Sequence, residues 1–389
     1  NKGDLVAAID SYQKAIKFKP DYADAYCNMG DTLRDKGDLV SAIESYKQAI
    51  KVNPRLHNAF NNMGNALRDK GDLVSAIESY KQAIKIKPDY AHAFNNMGNA
   101  LKDRGDLVSA IEGYKQALQI KPDYVHANHN ISSALKGVTF ANSNPQLMEV
   151  MVSLLHQRTT SSPNEIAPAS ISLLKLEPAL KEALKKHSLG TLAHSLHETI
   201  LTLSELPLLM TLMRVCPICD PEVESILVSI RSALLSCVDE LSISPAIVCF
   251  QSVLALQCFT NEYIYNQTNK ETDSIEVLKD TIEKTLSNGQ QPSPQSVLCL
   301  ASYKALHEFE WSDLLTVNTD IEEVVVRQIQ EPKKEIRLKA NIPILQEITD
   351  KVSSKVRAQY EENPYPRWVN LRLSLNPVPL SKLTKELKL

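Results

Sequence analysis

One interval governs the first third of this chain. Gly3, Gly37, Gly71 and Gly105 stand 34 residues apart, and so do Pro20, Pro54, Pro88 and Pro122, and Tyr12, Tyr46, Tyr80 and Tyr114. A fixed period of this length restricts the fold to a stack of like supersecondary units, each burying its apolar face on the next. Within a unit, Leu39, Ala42, Ile43, Tyr46, Ala49 and Ile50 recur at the three-and-four spacing of an apolar helix face. Asp38 is placed to cap that helix, and Gly37 to take the left-handed conformation that ends the helix before it. Asn53-Pro54 stops it, because a residue before proline avoids the helical region. A partner helix is then expected from about Leu56 to Lys70.

Phe60, Met63, Gly64 and Leu67 on the first helix, with Ala76, Tyr80 and Pro88 after them, resemble the tetratricopeptide repeat (TPR) family. The set recurs at Tyr26, Met29, Gly30, Leu33, Ala42, Tyr46 and Pro54, and at Phe94, Met97, Gly98, Leu101, Ala110, Tyr114 and Pro122. It decays where Asn128 replaces the aromatic and Ser132 the glycine, so the array is expected to span 1–136. The resemblance implies an α-solenoid whose first helices line a concave groove for a protein or peptide ligand.

Asn28, Asn62, Asn96 and Asn130 share one position in successive units, and Asn65 and Asn99 lie a turn further along. Asn58, Asn62, Asn65 and Asp69 form a polar stripe, as do His92, Asn96, Asn99 and Asp103. The stripe avoids the packing positions and is expected to face away from the partner helix. Carboxamides both donate and accept, which matches a peptide main chain. Asparagine is also a poor mid-helix residue. Asn28, Asn62, Asn65, Asn96, Asn99 and Asn130 are therefore the candidate peptide-binding residues. The ladder is similar to that of protein O-linked N-acetylglucosamine transferases. The alternative is a solvated helix face copied by repeat duplication.

From Asn142 onward the period is lost. Apolar segments without strand alternation predict helices over 145–157, 171–186, 192–215, 222–241, 245–264, 273–286, 294–308 and 321–330, forming a helical middle domain over 142–339. The fold class is all-α: a solenoid, a second helical domain and an extended proline and aromatic strap. Hydrophobic residues make up 43%, charged residues 23%, and the net charge is -3. No basic run points to nucleic acid or a membrane surface, and no apolar stretch reaches membrane-spanning length. The first residue is Asn and the chain opens in mid-repeat, as expected of a piece of a longer protein. The odd number of cysteines, seven, fits reduced thiols and a cytoplasmic location.

Chemistry-bearing motifs are few. Cys216-Pro-Ile-Cys219 has redox or zinc spacing, but without a second pair or a βαβ context it reads as a helix-end turn. His194 and His197 read as an exposed pair, and Glu361-Glu362 as a solvated helix end. After Gly137 only Gly190 and Gly289 remain, so no glycine-rich phosphate or dinucleotide loop is present. No catalytic residue, metal site or bound cofactor is expected in this chain.

The segment QYEENPYPRW at 359–368 excludes helix by its prolines. It resembles a segment of bacterial proteins that join TPR repeats to a class I S-adenosylmethionine-dependent methyltransferase domain. Leu212-Met-Arg-Val-Cys-Pro217, Leu256-Gln-Cys-Phe-Thr-Asn-Glu-Tyr263 and Arg337-Leu-Lys-Ala-Asn-Ile-Pro343 are similar to the same family. The resemblance implies that S-adenosylmethionine serves the parent protein, that residues 340–389 lead into a catalytic domain in cis, and that the repeats recruit its substrate. Tyr360, Asn363, Tyr365, Arg367 and Trp368 would close over that domain or pack the junction. Two other expectations stand beside it: a stand-alone TPR adaptor, and the N-terminal region of a glycosyltransferase.

Overall fold

The computed structural model describes residues 2–156, 163–238 and 244–340. The strap residues Tyr360, Asn363, Tyr365, Arg367 and Trp368, the pair Glu361-Glu362 and the tail 369–389 lie outside the described residues. Those described are helical, with no strand among them. They form two compact units, one ending at Lys136 and the other beginning at Gly137.

The first unit holds α1 (Lys2–Phe18), α2 (Ala23–Asp35), α3 (Leu39–Val52), α4 (His57–Lys70), α5 (Leu73–Ile86), α6 (Ala91–Asp103), α7 (Leu107–Ile120) and α8 (Val125–Leu135). Local chemistry sets these bounds. The carboxylates of Asp38, Asp72 and Asp106 accept from the backbone N–H of Ser41, Ser75 and Ser109 at 3.1, 3.1 and 3.2 Å. Gly71 ends α4 at φ 88°, a conformation that a side chain would strain. Tyr46, Tyr80 and Tyr114 are fully buried. Each lies so close to the facing helix that a Cβ added at Gly30, Gly64 or Gly98 would stand 2.6 Å from its ring. The family's glycine is thus a packing requirement of the tyrosine beside it. The first helices also touch one another, α2 with α4, α4 with α6 and α6 with α8. They form the more closely spaced, inner row of the array.

The second unit begins with α9 (Pro145–His156), α10 (Pro163–Leu174), α11 (Pro178–Ser188), α12 (Leu196–Ser204), α13 (Pro207–Val215) and α14 (Pro221–Ser236). It continues with α15 (Pro245–Thr260), α16 (Asn269–Ser287), α17 (Pro294–Ala301), α18 (Glu322–Val325) and α19 (Glu331–Ala340). The central α15 is buried on nearly every side and packs against α12, α13 and α17. Two long helices expected from sequence are each divided. The 171–186 segment breaks at Pro178 and the 192–215 segment at Pro207, because proline opens a new helix at its first position. The 245–264 helix stops at Thr260, where Glu262 and Tyr263 turn the chain at φ 58° and 57°. The 294–308 helix stops at Ala301 and is followed by short 3-10 turns. Between α18 and α19 a π-helical stretch, Val326–Gln330, carries the buried Gln328. Gln328 donates to the carbonyls of Ala255 and Ala301 at 3.1 and 3.0 Å, tying α15 to α17.

Candidate functional site

The asparagines of the inner row form a hydrogen-bonded relay that crosses the repeats. Asn130 donates from Nδ2 to Asn95 Oδ1 at 2.9 Å, and Asn95 to Asn96 Oδ1 at 3.4 Å. Asn96 donates to Asn61 Oδ1 at 3.1 Å, and Asn61 to Asn62 Oδ1 at 3.1 Å. Asn62 then donates to Asp31 Oδ1 at 2.8 Å. Asn61 and Asn95 are buried, 5% and 4% exposed, while Asn62, Asn96 and Asn130 are half-buried. The sequence reading missed the buried members and Asp31. The doublets Asn61-Asn62 and Asn95-Asn96, themselves 34 apart, were the available signal.

Asn65 and Asn99 depart from the expectation that the whole stripe faces away from the partner helix. Their Oδ1 atoms accept from the hydroxyls of Tyr80 and Tyr114 at 2.8 and 2.9 Å. In the preceding unit Asp31 takes that place and accepts from Tyr46 at 2.6 Å. Burial raises all three tyrosines well above the ordinary phenol range, so each hydroxyl keeps its proton and donates. The arrangement leaves the Nδ2 groups of Asn65 and Asn99 with two N–H donors each. Asn28 is exposed and stands outside the relay.

Both ends of the stripe are tied between units as well. Asn58 accepts from Tyr90 at 2.9 Å, and His92 Nδ1 lies 2.8 Å from the Tyr124 hydroxyl. His57, Tyr90, His92, Tyr124 and His126 continue as edge-to-face rings with centroids 4.9–6.0 Å apart. Burial and then the charge of Lys87 lower the His57 pKa; burial, Lys121, His126 and Lys87 lower that of His92. At the other end Arg34 pairs with Asp69 at 3.8 Å and Arg68 with Asp103 at 3.5 Å. The inner row of helices is therefore cross-linked at three levels.

A TPR-repeat family model matches residues 1–33, 30–67, 64–105 and 98–136. Residues 1–136 are TPR repeats. No curated protein matches the chain. The TPR array is similar to MamA, at 30% identity over 34% of this chain and 78% of that one, with a TM-score of 0.32. It is also similar to the first TPR of Spaghetti (RPAP3) bound to an HSP90 peptide, at 19% identity over 29% of this chain and 89% of that one, with a TM-score of 0.28. The second TPR domain of human RPAP3, in complex with an HSP70 peptide, is 24% identical over 29% of this chain and 95% of that one, with a TM-score of 0.29.

The remaining sequence candidates lie in the second unit. Cys216-Pro-Ile-Cys219 fills the connection from α13 to α14. The Gln257 amide faces it; turned so that its nitrogen meets carbonyls, it donates to Met213 and Cys216 at 3.1 and 3.0 Å and accepts from the Ile218 N–H at 2.9 Å. Burial pushes the Cys216 thiol up to about 12, opposite to the depressed value that makes a Cys-x-x-Cys pair reactive. His194 and His197 are exposed. Among the described residues no group of three or more His, Cys, Asp or Glu could hold a metal ion. Nor is any described helix long and apolar enough to cross a membrane.

Proposed function

We propose that the TPR array binds an extended protein segment through its main chain, along the inner row of first helices. The observation that carries this is the set of valences left over by the relay. Each carboxamide has two N–H donors and two lone pairs. Asn96 and Asn130 each spend one N–H on the relay, and the second N–H of Asn62 has only the Cys27 sulfur, 4.0 Å away. Held in fixed orientation and half exposed, these groups offer an acceptor and donors at three successive repeats without ordering cost. Neighbouring structures that hold HSP90 and HSP70 peptides on TPR arrays are in keeping with this reading.

Selection from a random-sequence peptide library tests it. Retained peptides should share little side-chain consensus. The triple variant Asn62→Ala, Asn96→Ala and Asn130→Ala should bind them at least about tenfold more weakly, as expected for the loss of two or more hydrogen bonds worth roughly 0.5–1.5 kcal/mol each. Undiminished affinity, with helical content unchanged, would leave the ladder as an inter-repeat fastening alone.

We further propose that the segment so bound is the substrate of a methyltransferase domain belonging to the same protein. Its support is the resemblance of 359–368 and of the Cys258-Phe-Thr-Asn-Glu-Tyr263 segment to the methyltransferase-linked family. S-adenosylmethionine titrated into the full-length natural protein should bind once per chain, and the absence of binding would remove this finer reading.

A further inference from the structure

We propose that Asp31 fixes the direction of the entire amide relay, and so the direction in which the groove accepts a main chain. The second half of that statement rests on the peptide-groove reading above; the first does not. A carboxamide can be turned over with little change of shape, so a row of amides alone has two equivalent hydrogen-bonding directions. A carboxylate accepts only. Asp31 receives Asn62 Nδ2 at 2.8 Å, which leaves Asn62 Oδ1 as the acceptor for Asn61. Asn61 Oδ1 is then free only to accept, and Asn96 supplies the proton; the same choice passes through Asn95 to Asn130. One charged residue thus sets five amides over three repeats.

The equivalent positions further along cannot do this. Asn65 and Asn99 replace the carboxylate, and Ser133 follows them. Asn65 and Asn99 are occupied in accepting from Tyr80 and Tyr114. Asp31 is also held in place, since Tyr46 donates to the same oxygen at 2.6 Å. With the relay fixed, the spare N–H and lone pair of Asn62, Asn96 and Asn130 come in the same order at each repeat. An extended chain presents its own N–H and C=O in an order that inverts when the chain is reversed, so only one direction matches. Asp31 is a positioning residue and the ligand class is an extended peptide bound in one sense.

The test uses the whole chain and the isosteric Asp31→Asn variant, which can donate as well as accept. The side-chain amide NMR signals of Asn95, Asn96 and Asn130 should shift or double in the variant, two and three repeats from the substitution. Asp24→Asn, exposed on the same helix, should move only its neighbours. Changes in Asp31→Asn confined to Asn62 and its own repeat would overturn the relay. A library-selected peptide with a nitroxide at one end should broaden signals at one end of the ladder in the parent chain and at both ends in Asp31→Asn. One-ended broadening in both proteins would overturn the directional role while leaving the groove intact. Failure of any peptide to bind, with the amide shifts still reaching Asn130, would overturn the directional role and the groove while leaving the relay standing.

Discussion

The two units of this protein handle buried polar groups in opposite ways. In the TPR array they form a surface-edge row whose members are tied to one another yet keep spare donors and acceptors. In the second unit they are sealed. Arg231 is 1% exposed, with its guanidinium 4.2 Å from the Tyr303 ring and 5.5 Å from the Tyr265 ring. Its Nη2 donates to the Asn266 carbonyl at 2.8 Å. The Tyr303 hydroxyl donates to Glu271 at 2.9 Å, and Glu271 in turn accepts from the Thr268 backbone at 2.8 Å in the cap of α16. The difference teaches where function can reside. A sealed centre can only hold helices together, whereas a half-open one can hold helices together and still bind.

Arg231→Ala is the harshest way to break the comparison. It removes a buried cation from the Tyr303 and Tyr265 rings and its charge-assisted bond to the Asn266 carbonyl, and should cost about 3–5 kcal/mol by denaturant unfolding of the second unit. A loss under about 1 kcal/mol would mean that the centre is not sealed. Asn95→Ala sharpens the other side. Losing this buried rung takes the donor from Asn96 Oδ1, which keeps only its bond to Asn61, and the acceptor from Asn130, so a cost of about 1–3 kcal/mol is expected, against less than about 0.5 kcal/mol for the exposed Asn28→Ala. Tyr80→Phe should cost about 0.5–1.5 kcal/mol and free the Asn65 oxygen, read out by thermal unfolding and by the Asn65 amide signal.

The smallest effect is a pH dependence of the array. Hydrogen bonds from the backbone and side chain of Ser41 lower the pKa of Asp38, and those from Ser75 lower that of Asp72. A depressed folded-state pKa stabilises the fold above the unfolded value, and the contribution is lost as pH falls through the folded one. Stability of the array should therefore decline below about pH 4, the ordinary aspartate range. The double variant Asp38→Ala and Asp72→Ala should show a shallower decline; an identical slope would contradict the assignment.

How far the sequence could be read follows the same division. In the array, a glycine and an aspartate cap mark each passage from first to second helix and a proline each passage to the next unit, and the 34-residue period repeats the message. The second unit has no period, and its breaks at Pro178 and Pro207 lie within segments whose apolar spacing runs on past the proline. At Glu262 and Tyr263 the left-handed turn is made without glycine, so no local signal existed. The recurrence of the stripe residues was legible from spacing alone, but not the turn of Asn65 and Asn99 toward Tyr80 and Tyr114. The buried partners Asn61 and Asn95 showed only as doublets 34 apart, because the bonds that carry the relay between repeats reach residues 35 positions away.

The central claim is that the asparagine row is a main-chain binding surface, and titration watched at its amides tests it most directly. A peptide selected from a random library should shift the side-chain signals of Asn62, Asn65, Asn96, Asn99 and Asn130 together, with one saturation curve. A peptide that saturates the protein while leaving those five signals unmoved would contradict it.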